Sequence, residues 1–270
     1  MNNIKKNTSK YWDYQLDNLL DQELFNQTIK FHQSGVYKRK NCDVFPYSRE
    51  LLTWLNNNEF SDNIPNHFSS ELKLEVEAKK FQNSHRDFSG DRMSKKDFDS
   101  IIYNSFGRDF DSGSKRYPSA GALYPIVPLI YILENNAIEG LSNLRGCYVF
   151  DTYALSLKKI KEWSSEEFND FLSVLNTSNK QIYSNFAIGY AIDLKKAIIK
   201  YKQRGYRHAL IEIGLMAQAL REVLVSEKKG LGEFCWSGFD DNALTYLSGL
   251  NPRLIPISLI QWFGYKMKGK

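Results

Sequence analysis

Apolar and polar positions along this chain fall into several rhythms that predict its elements before any residue is given a role. Residues 11 to about 32, YWDYQLDNLLDQELFNQTIKFH, carry apolar side chains at helical spacing and predict one or two short amphipathic helices. Ser48 stands as an N-cap ahead of Arg49 and Glu50, with Leu51, Leu52, Trp54 and Leu55 following, so another helix is expected there. The Asn- and Asp-rich run 56–66 predicts a loop. Ser94, with Asp97 three residues on, opens a helix through Phe98, Ile101 and Ile102. Residues 126–133 form an apolar, β-branched run of strand length, although Pro128 removes one amide and confines it to an edge, a bulge or a strand start. A strand is expected at 146–150, a helical pattern broken by the cap Ser164 at 158–175, and a central strand at 182–192, which has no charge in its span.

Residues 198–225 then predict a long helix. Ala209, Leu210, Ile213, Met216, Ala217, Leu220, Val223 and Leu224 form a broad stripe, and Ile211 and Leu215 fall outside it, so burial on most of its circumference is expected. Glu212 and His208 are spaced four apart on this helix and read as structural or ligand-orienting. Gly230, Gly232 and Gly238 interrupt the next segment, and Asp240 or Asp241 caps a short helix through Leu244 and Leu247. A last apolar strand covers 254–263. Strands and helices alternate without the regularity of a barrel, and no internal repeat is present, so the fold class is α+β, a sheet flanked by helices.

Composition narrows the function classes. Apolar residues are 42% and charged residues 25% of 270, ordinary for a globular protein, while aromatics reach 14%, enough to line a core, stack on a planar cofactor or fill a subunit interface. The net charge of +5 is spread along the chain without a basic stripe, which argues against nucleic acid. No apolar run is long enough to span a bilayer as a helix. Cys42, Cys147 and Cys235 are isolated, and no signal-peptide pattern opens the chain, so buried, reduced thiols in the cytoplasm are expected. The four histidines have no metal-ligand spacing, and no metal site is expected.

Two stretches carry candidate chemistry. In KRYPSAGALYPIVPLIYIL, Pro118 and Pro125 fix φ twice within eight residues, Ser119 offers a hydroxyl, and Gly121 permits close approach to the backbone. A rigid turn of this kind can hold a flat ligand, and a turn that merely enters a core strand would be equally stiff. In FQNSHRDF, Ser84, His85 and Arg86 lie together; arginine is a natural fork for phosphate, and a solvated loop before a helix is the alternative.

RYPSAGALYP, KYKQRGYR, HALIEIG, GLGEFCWSGFDD and the closing strand before WFG, taken in this order, resemble the flavin-dependent azoline dehydrogenases of the nitroreductase superfamily. These enzymes help to make thiazole- and oxazole-containing peptides of the microcin and streptolysin type. The resemblance covers roughly residues 81–265. It implies an FMN-binding domain over 81–270, with a central, mostly antiparallel sheet flanked by helices, and an N-terminal helical extension or accessory lobe over 1–80. It also implies a dimer with each flavin near the subunit interface. The family's Arg-Arg-Ser-x-Arg-x-Phe falls on residues 82–88, so Ser84 and Arg86 take phosphate- and ribityl-binding positions, while Gln82 and Asn83 replace its first two arginines. Lys266 or Lys268 falls where related enzymes present a base to the phosphate. Pro118, Ser119, Ala120 and Gly121, together with Trp236 to Gly238, would line the isoalloxazine. Arg204 and Arg207 would stand near the phosphate or the interface.

The family's catalytic pair falls on Lys200 and Tyr201. The implied reaction is oxidation of peptide thiazolines or oxazolines to thiazoles or oxazoles, with dioxygen as the final acceptor. Lys200, once its pKa is lowered by burial or a neighbouring cation, would be the base, with Tyr201 placing the ring or relaying the proton. Implied partners are the cyclised precursor peptide, the cyclodehydratase subunits of the same synthetase and a second copy of the chain. Three alternatives remain at the level of sequence: a nitro- or quinone-reductase fed by NAD(P)H, another dehydrogenation on a peptide or small metabolite, and a flavin-free scaffold in a peptide-modifying complex.

Overall fold

The segment FAIGYAI, strand β4 (Phe186–Ile192), is buried at every position because both of its faces are covered. A computed structural model describes residues 12–38, 48–62, 64, 66–77, 81, 83–175, 182–227 and 229–267. In it β4 joins β1 (Ile126–Ile132), β2 (Gly146–Asp151), β3 (Ser156–Lys161), β5 (Leu231–Trp236) and β6 (Ile257–Tyr265) in a sheet of order β3-β2-β1-β4-β6-β5. Every pairing of neighbours is antiparallel. Strand alternation sends Phe186, Ile188, Tyr190 and Ile192 into one core and Ala187 and Ala191 into the other. The first core is completed by helices α2 (Gln22–Ser34), α4 (Lys95–Phe106), α6 (Leu194–Tyr201) and α7 (Gln203–Ser226). The second is completed by α5 (Ser165–Val174) and α8 (Asp241–Leu247). A fully buried side chain such as Ile101 or Leu220 contributes about 1.5–3 kcal/mol to such a core.

The expected caps are present. Ser94 Oγ accepts the Asp97 N–H at 3.1 Å, and Ser164 and Glu167 form a reciprocal capping box at the start of α5. Asp240 caps α8 through the Ala243 N–H at 3.0 Å. The N-terminal pattern resolves into two helices, α1 (Trp12–Leu19) and α2.

Contacts divide the chain into two units, Met1–Arg39 with Ser84–Lys270, and Lys40–Asn83. The first helices of the expected 1–80 extension therefore belong with the sheet, through Phe25, Ile29 and His32 of α2, whose Nδ1 lies 2.8 Å from the Tyr206 hydroxyl. In the smaller unit α3 (Arg49–Asn58) is capped by Ser48 and buries none of its residues. No described helix is long and apolar enough to cross a membrane.

Of the three places expected for Pro128, the strand start is the one observed, although in an interior strand: it faces Tyr190 of β4, while pairing with β2 begins only at Leu129. Several expectations are corrected. The helical pattern at 158–175 begins as strand β3, paired with β2 across a turn in which Asp151 Oδ1 accepts the Tyr153 and Ala154 N–H groups. Residues 182–185 precede β4 rather than forming part of it. The segment LGEFCW is strand β5. The long helix breaks at Lys202, with φ 51° and ψ −138°, into α6 and α7. Along α7, Leu210, Ile211 and Leu215 are exposed, so this helix keeps an apolar face uncovered. Cys147 is buried as expected, Cys235 is exposed, and Cys42 lies outside the described residues.

Candidate active site

The turn that follows Pro118 is held in a conformation that ordinary residues avoid. Gly121, Ala122 and Tyr124 have φ of 62°, 56° and 48°. The two that are not glycine cost about 1–3 kcal/mol each. Ser119 holds the loop closed: its Oγ accepts the Tyr124 N–H at 2.8 Å, and its carbonyl accepts the Ala122 N–H at 3.0 Å. Pro118 and Gly121 are exposed at the lip.

A second element delivers the Lys-Tyr pair to the same place. Asp193 caps α6 through the Lys196 N–H at 2.9 Å, and the helix ends on Lys200 and Tyr201 because Lys202 leaves helical geometry. Gly205 lets α7 fold back tightly, since any Cβ there would strike the Ala197 carbonyl oxygen. As a result a Cβ on Gly121 would stand 2.6 Å from Tyr201 Oη and 2.8 Å from Lys200 Nζ. The Lys200 ammonium sits 5.3 Å over the Tyr201 ring, and Tyr201 meets the His208 ring edge to face at 5.0 Å. The two motifs, eighty residues apart in sequence, form one surface at the start of α7.

Charge is buried behind this surface. Glu212 on α7 is 2% exposed, and its Oε1 has no hydrogen-bond partner. Burial pushes its pKa up, against the pull of the Ser119 hydroxyl and the ammonium groups of Lys115 and Lys196. The Lys115 ammonium lies 5.7 Å and 5.5 Å from the Tyr117 and Tyr124 ring centroids. Desolvation, reinforced by the charges of Arg108 and Lys196, brings its pKa down to about 8. Lys200 itself is exposed.

A cationic cluster lies farther along α7. The strap containing Ser84 and Arg86 is hydrogen-bonded to the sheet: the His85 N–H donates to the Glu233 carbonyl at 2.8 Å, and the Met267 N–H to the Asp87 carbonyl at 2.8 Å. It is therefore an ordered edge rather than a solvated loop. Arg86 lies 5.3 Å over the Phe234 ring, and a Cβ on Gly232 would fall 2.9 Å from His85 Cβ and 3.0 Å from Lys266 Cε. Arg221 of α7 reaches the strap at Ser84, donating from Nη2 to Ser84 Oγ at 3.4 Å. The Ser84 hydroxyl and Arg86 guanidinium of the strap, with Lys266 beside Gly232, are donors of the kind a phosphate ester takes, so these residues fit the phosphate of FMN.

The other expected residues are distributed as follows. Trp236 and Gly238 lie at the far end of β5; Trp236 pairs with Ile260, its Nε1 donates to the Leu175 carbonyl at 2.9 Å, and its indole packs close to Gly238. Ala120 is in the turn. Arg204 and Arg207 are exposed near the N-terminus of α7. Arg207 lines a cavity of about 500 Å³ with Tyr206, Leu210 and Phe31. Fourteen residues separate Arg207 from Arg221 on α7, a rise of about 21 Å, so within one chain neither Arg204 nor Arg207 joins the Ser84 cluster. Lys268 lies outside the described residues. Reading the sequence missed Lys115, Arg221 and the burial of Glu212. Lys115 leads directly into the proline turn, whereas Arg221 looks like any polar residue on the flank of an amphipathic helix. Among the described residues no group of His, Cys, Asp and Glu could hold a metal ion.

The chain matches the nitroreductase family over residues 80–265 and belongs to it. Within that family it is similar to the microcin B17-processing protein McbC of Escherichia coli, with 31% identity over 175 residues. That match covers 64% of this chain and 62% of McbC, less than two thirds of its length. It is also 25% identical over 177 residues to a nitroreductase-like protein of Methanocaldococcus jannaschii, covering 64% of this chain and 83% of that one. Among solved structures, a chain of the Escherichia coli microcin synthetase McbBCD complex, with truncated pro-MccB17 bound, superposes with a TM-score of 0.77 and 25% identity. The superposition covers 94% of this chain and 97% of that one. A nitroreductase-like protein of Ralstonia eutropha shares the fold at a TM-score of 0.56, 16% identity and coverage of 69% and 80% of the two chains.

Proposed function

We propose that this protein is an FMN-dependent azoline dehydrogenase, oxidising peptide thiazolines or oxazolines to thiazoles or oxazoles during maturation of a ribosomally made peptide. The observation that carries this reading is the meeting of Gly121 with Lys200 and Tyr201, which puts a backbone lip, an amine and a phenol on one surface. Similarity to McbC and to the McbBCD complex with its bound peptide supports the same substrate class.

When bound, FMN supplies the acceptor for the hydride from the azoline ring, and dioxygen restores it. The protein's part is placement and proton transfer. Lys200 Nζ removes the proton from the former α-carbon, and Tyr201 Oη, held by the His208 ring, positions the azoline or passes the proton on. Ser119, tied to the Tyr124 amide, keeps Gly121 against both groups. Ser84, Arg86 and Lys266 hold the phosphate.

A homodimer completes the site in this reading. The exposed Leu210, Ile211 and Leu215 lie between the Lys200 end of α7 and its Arg221 end. Two copies packed antiparallel along this face would bring the catalytic surface of one beside the phosphate cluster of the other, so each flavin would sit at the interface. The cyclised precursor peptide and cyclodehydratase subunits are the further partners, and the cytoplasm is the compartment.

Mass spectrometry of a cyclised azoline peptide, before and after incubation with the purified yellow protein and dioxygen, tests the assignment. Loss of a hydrogen pair per ring is expected. An unchanged peptide mass combined with rapid flavin reduction by NADPH would favour a nitro- or quinone-reductase, the activity for which the family is named.

A further inference from the structure

We propose that Arg221 replaces, from helix α7, the phosphate-binding positive charge that this chain lacks at positions 82 and 83. This inference rests on the flavoprotein reading above. With Gln82 and Asn83 where the family resemblance implies arginines, Arg86 and Lys266 would be left to meet a phosphate monoester of about −1.5 to −2 charge.

The placement of Arg221 is built rather than incidental. Its Nε donates to Glu233 Oε1 at 2.5 Å, and the Glu233 side chain is fully buried. The other carboxylate oxygen, Oε2, accepts from Gln261 Nε2 at 2.7 Å, and Gln261 Oε1 accepts the Tyr190 hydroxyl at 2.6 Å. Gln261 Nε2 donates further to the Ala217 carbonyl at 3.1 Å, one turn before Arg221 on the same helix. Tyr190, Gln261 and Glu233 thus form a buried rail that spends both carboxylate oxygens and fixes the plane of the guanidinium. Nη2 points to Ser84 Oγ, at the long distance of 3.4 Å, and the Arg221 side chain remains 31% exposed. A guanidinium anchored on one edge and open on the other is suited to share a phosphate with a serine hydroxyl. The competing role for Arg221 is only to neutralise Glu233, and that role would not distinguish FMN from a flavin without phosphate.

Comparing FMN with riboflavin separates the two roles. Affinities for both are measured by flavin fluorescence on the full-length apo-protein for wild type, R221K, R221Q and the R221Q/E233Q pair, which removes both charges and keeps Glu233 from being stranded. R221Q and the double variant are expected to bind FMN about tenfold or more weakly and riboflavin within about twofold of wild type, with R221K between. Equal weakening of both flavins, or unchanged FMN affinity in the double variant, would overturn the assignment of Arg221. Failure of the wild-type protein to bind either flavin would instead refute the flavoprotein reading, and this inference with it.

Discussion

Gly121 and Tyr201 approach so closely that a methyl group on the glycine would lie 2.6 Å from the phenol oxygen. The atoms that such a methyl would meet are the free ends of the Tyr201 and Lys200 side chains, which would have to swing aside, and Gly121 itself is in left-handed geometry. The Gly121→Ala variant should therefore displace Lys200 and Tyr201 while leaving the core untouched, since Gly121 is exposed. Azoline oxidation is expected to fall about 10²-fold, the scale of an ångström-sized misplacement. Alanine in this left-handed geometry also costs about 1–3 kcal/mol, so Tm should fall by a few degrees, and a cooperative unfolding transition with FMN still bound would show that the loss of activity is local.

Lys200 and Tyr201 should separate by magnitude. Removal of a general base costs about 10²–10⁴-fold, so Lys200→Ala with FMN still bound should lose turnover on that scale. Tyr201→Phe keeps the ring against His208 and should lose less. Single-turnover oxidation of a cyclised peptide measures both, and a wild-type rate in Lys200→Ala would remove it as the base.

Lys115 predicts a dependence of stability on pH. Burial lowers its pKa in the folded protein from 10.5 to about 8, so between these values the unfolded chain holds more protons than the folded one. Stability should rise as pH increases from about 8 toward 10.5, and the penalty for the buried ammonium is fully present below 8. Lys115→Met should remove this slope and gain about 1–3 kcal/mol at pH 7, with the upper limit set by the whole shift. Urea unfolding of both proteins across that pH range measures the difference; parallel curves would contradict it.

Gly205 tests the junction that aims Lys200 and Tyr201. An added methyl would enter the space of the Ala197 carbonyl, where backbone meets backbone and no rotamer can relieve it. Gly205→Ala should cost about 1–3 kcal/mol, as overpacking does. For a chain of this size that is a fall of roughly 2–4 °C in Tm per kcal/mol. Activity should fall further than stability, because α6 carries Lys200 and Tyr201.

The outline of this fold was legible because its elements announce themselves locally. Ser48, Ser94 and Ser164 cap the helices where their spacing indicates, and the uncharged run ending at Ile192 supplies the central strand. Errors arose where local pattern and long-range pairing disagree. Residues 158–161 suit a helix equally well, but pairing with β2 makes them a strand. Pro128 leaves an edge, a bulge or a strand start open, and only the stagger of β2 against β1 selects the last. In the candidate site, the motif residues on either side of Gly121 could be named from sequence. Arg221 could not, because its value depends on Glu233, Gln261 and Tyr190 converging from three strands.

The uncovered face of α7 gives the remaining prediction. Ile211 is 55% exposed, Leu210 42% and Leu215 38%, on a helix whose opposite side is almost wholly buried. Three large apolar side chains in water on a central helix are unfavourable unless another surface covers them. If a second copy does so, Leu215→Asp should place carboxylates in the interface and release monomers, visible by sedimentation at micromolar concentration. The folded core should survive, because Leu215 is outside it. Azoline oxidation should fall together with dimer content, since the Lys200 surface and the Ser84 cluster lie toward opposite ends of α7 and would meet only across the pair. A monomeric Leu215→Asp protein with full FMN affinity and full turnover would instead mean that one chain suffices, and that the apolar face of α7 serves a different partner.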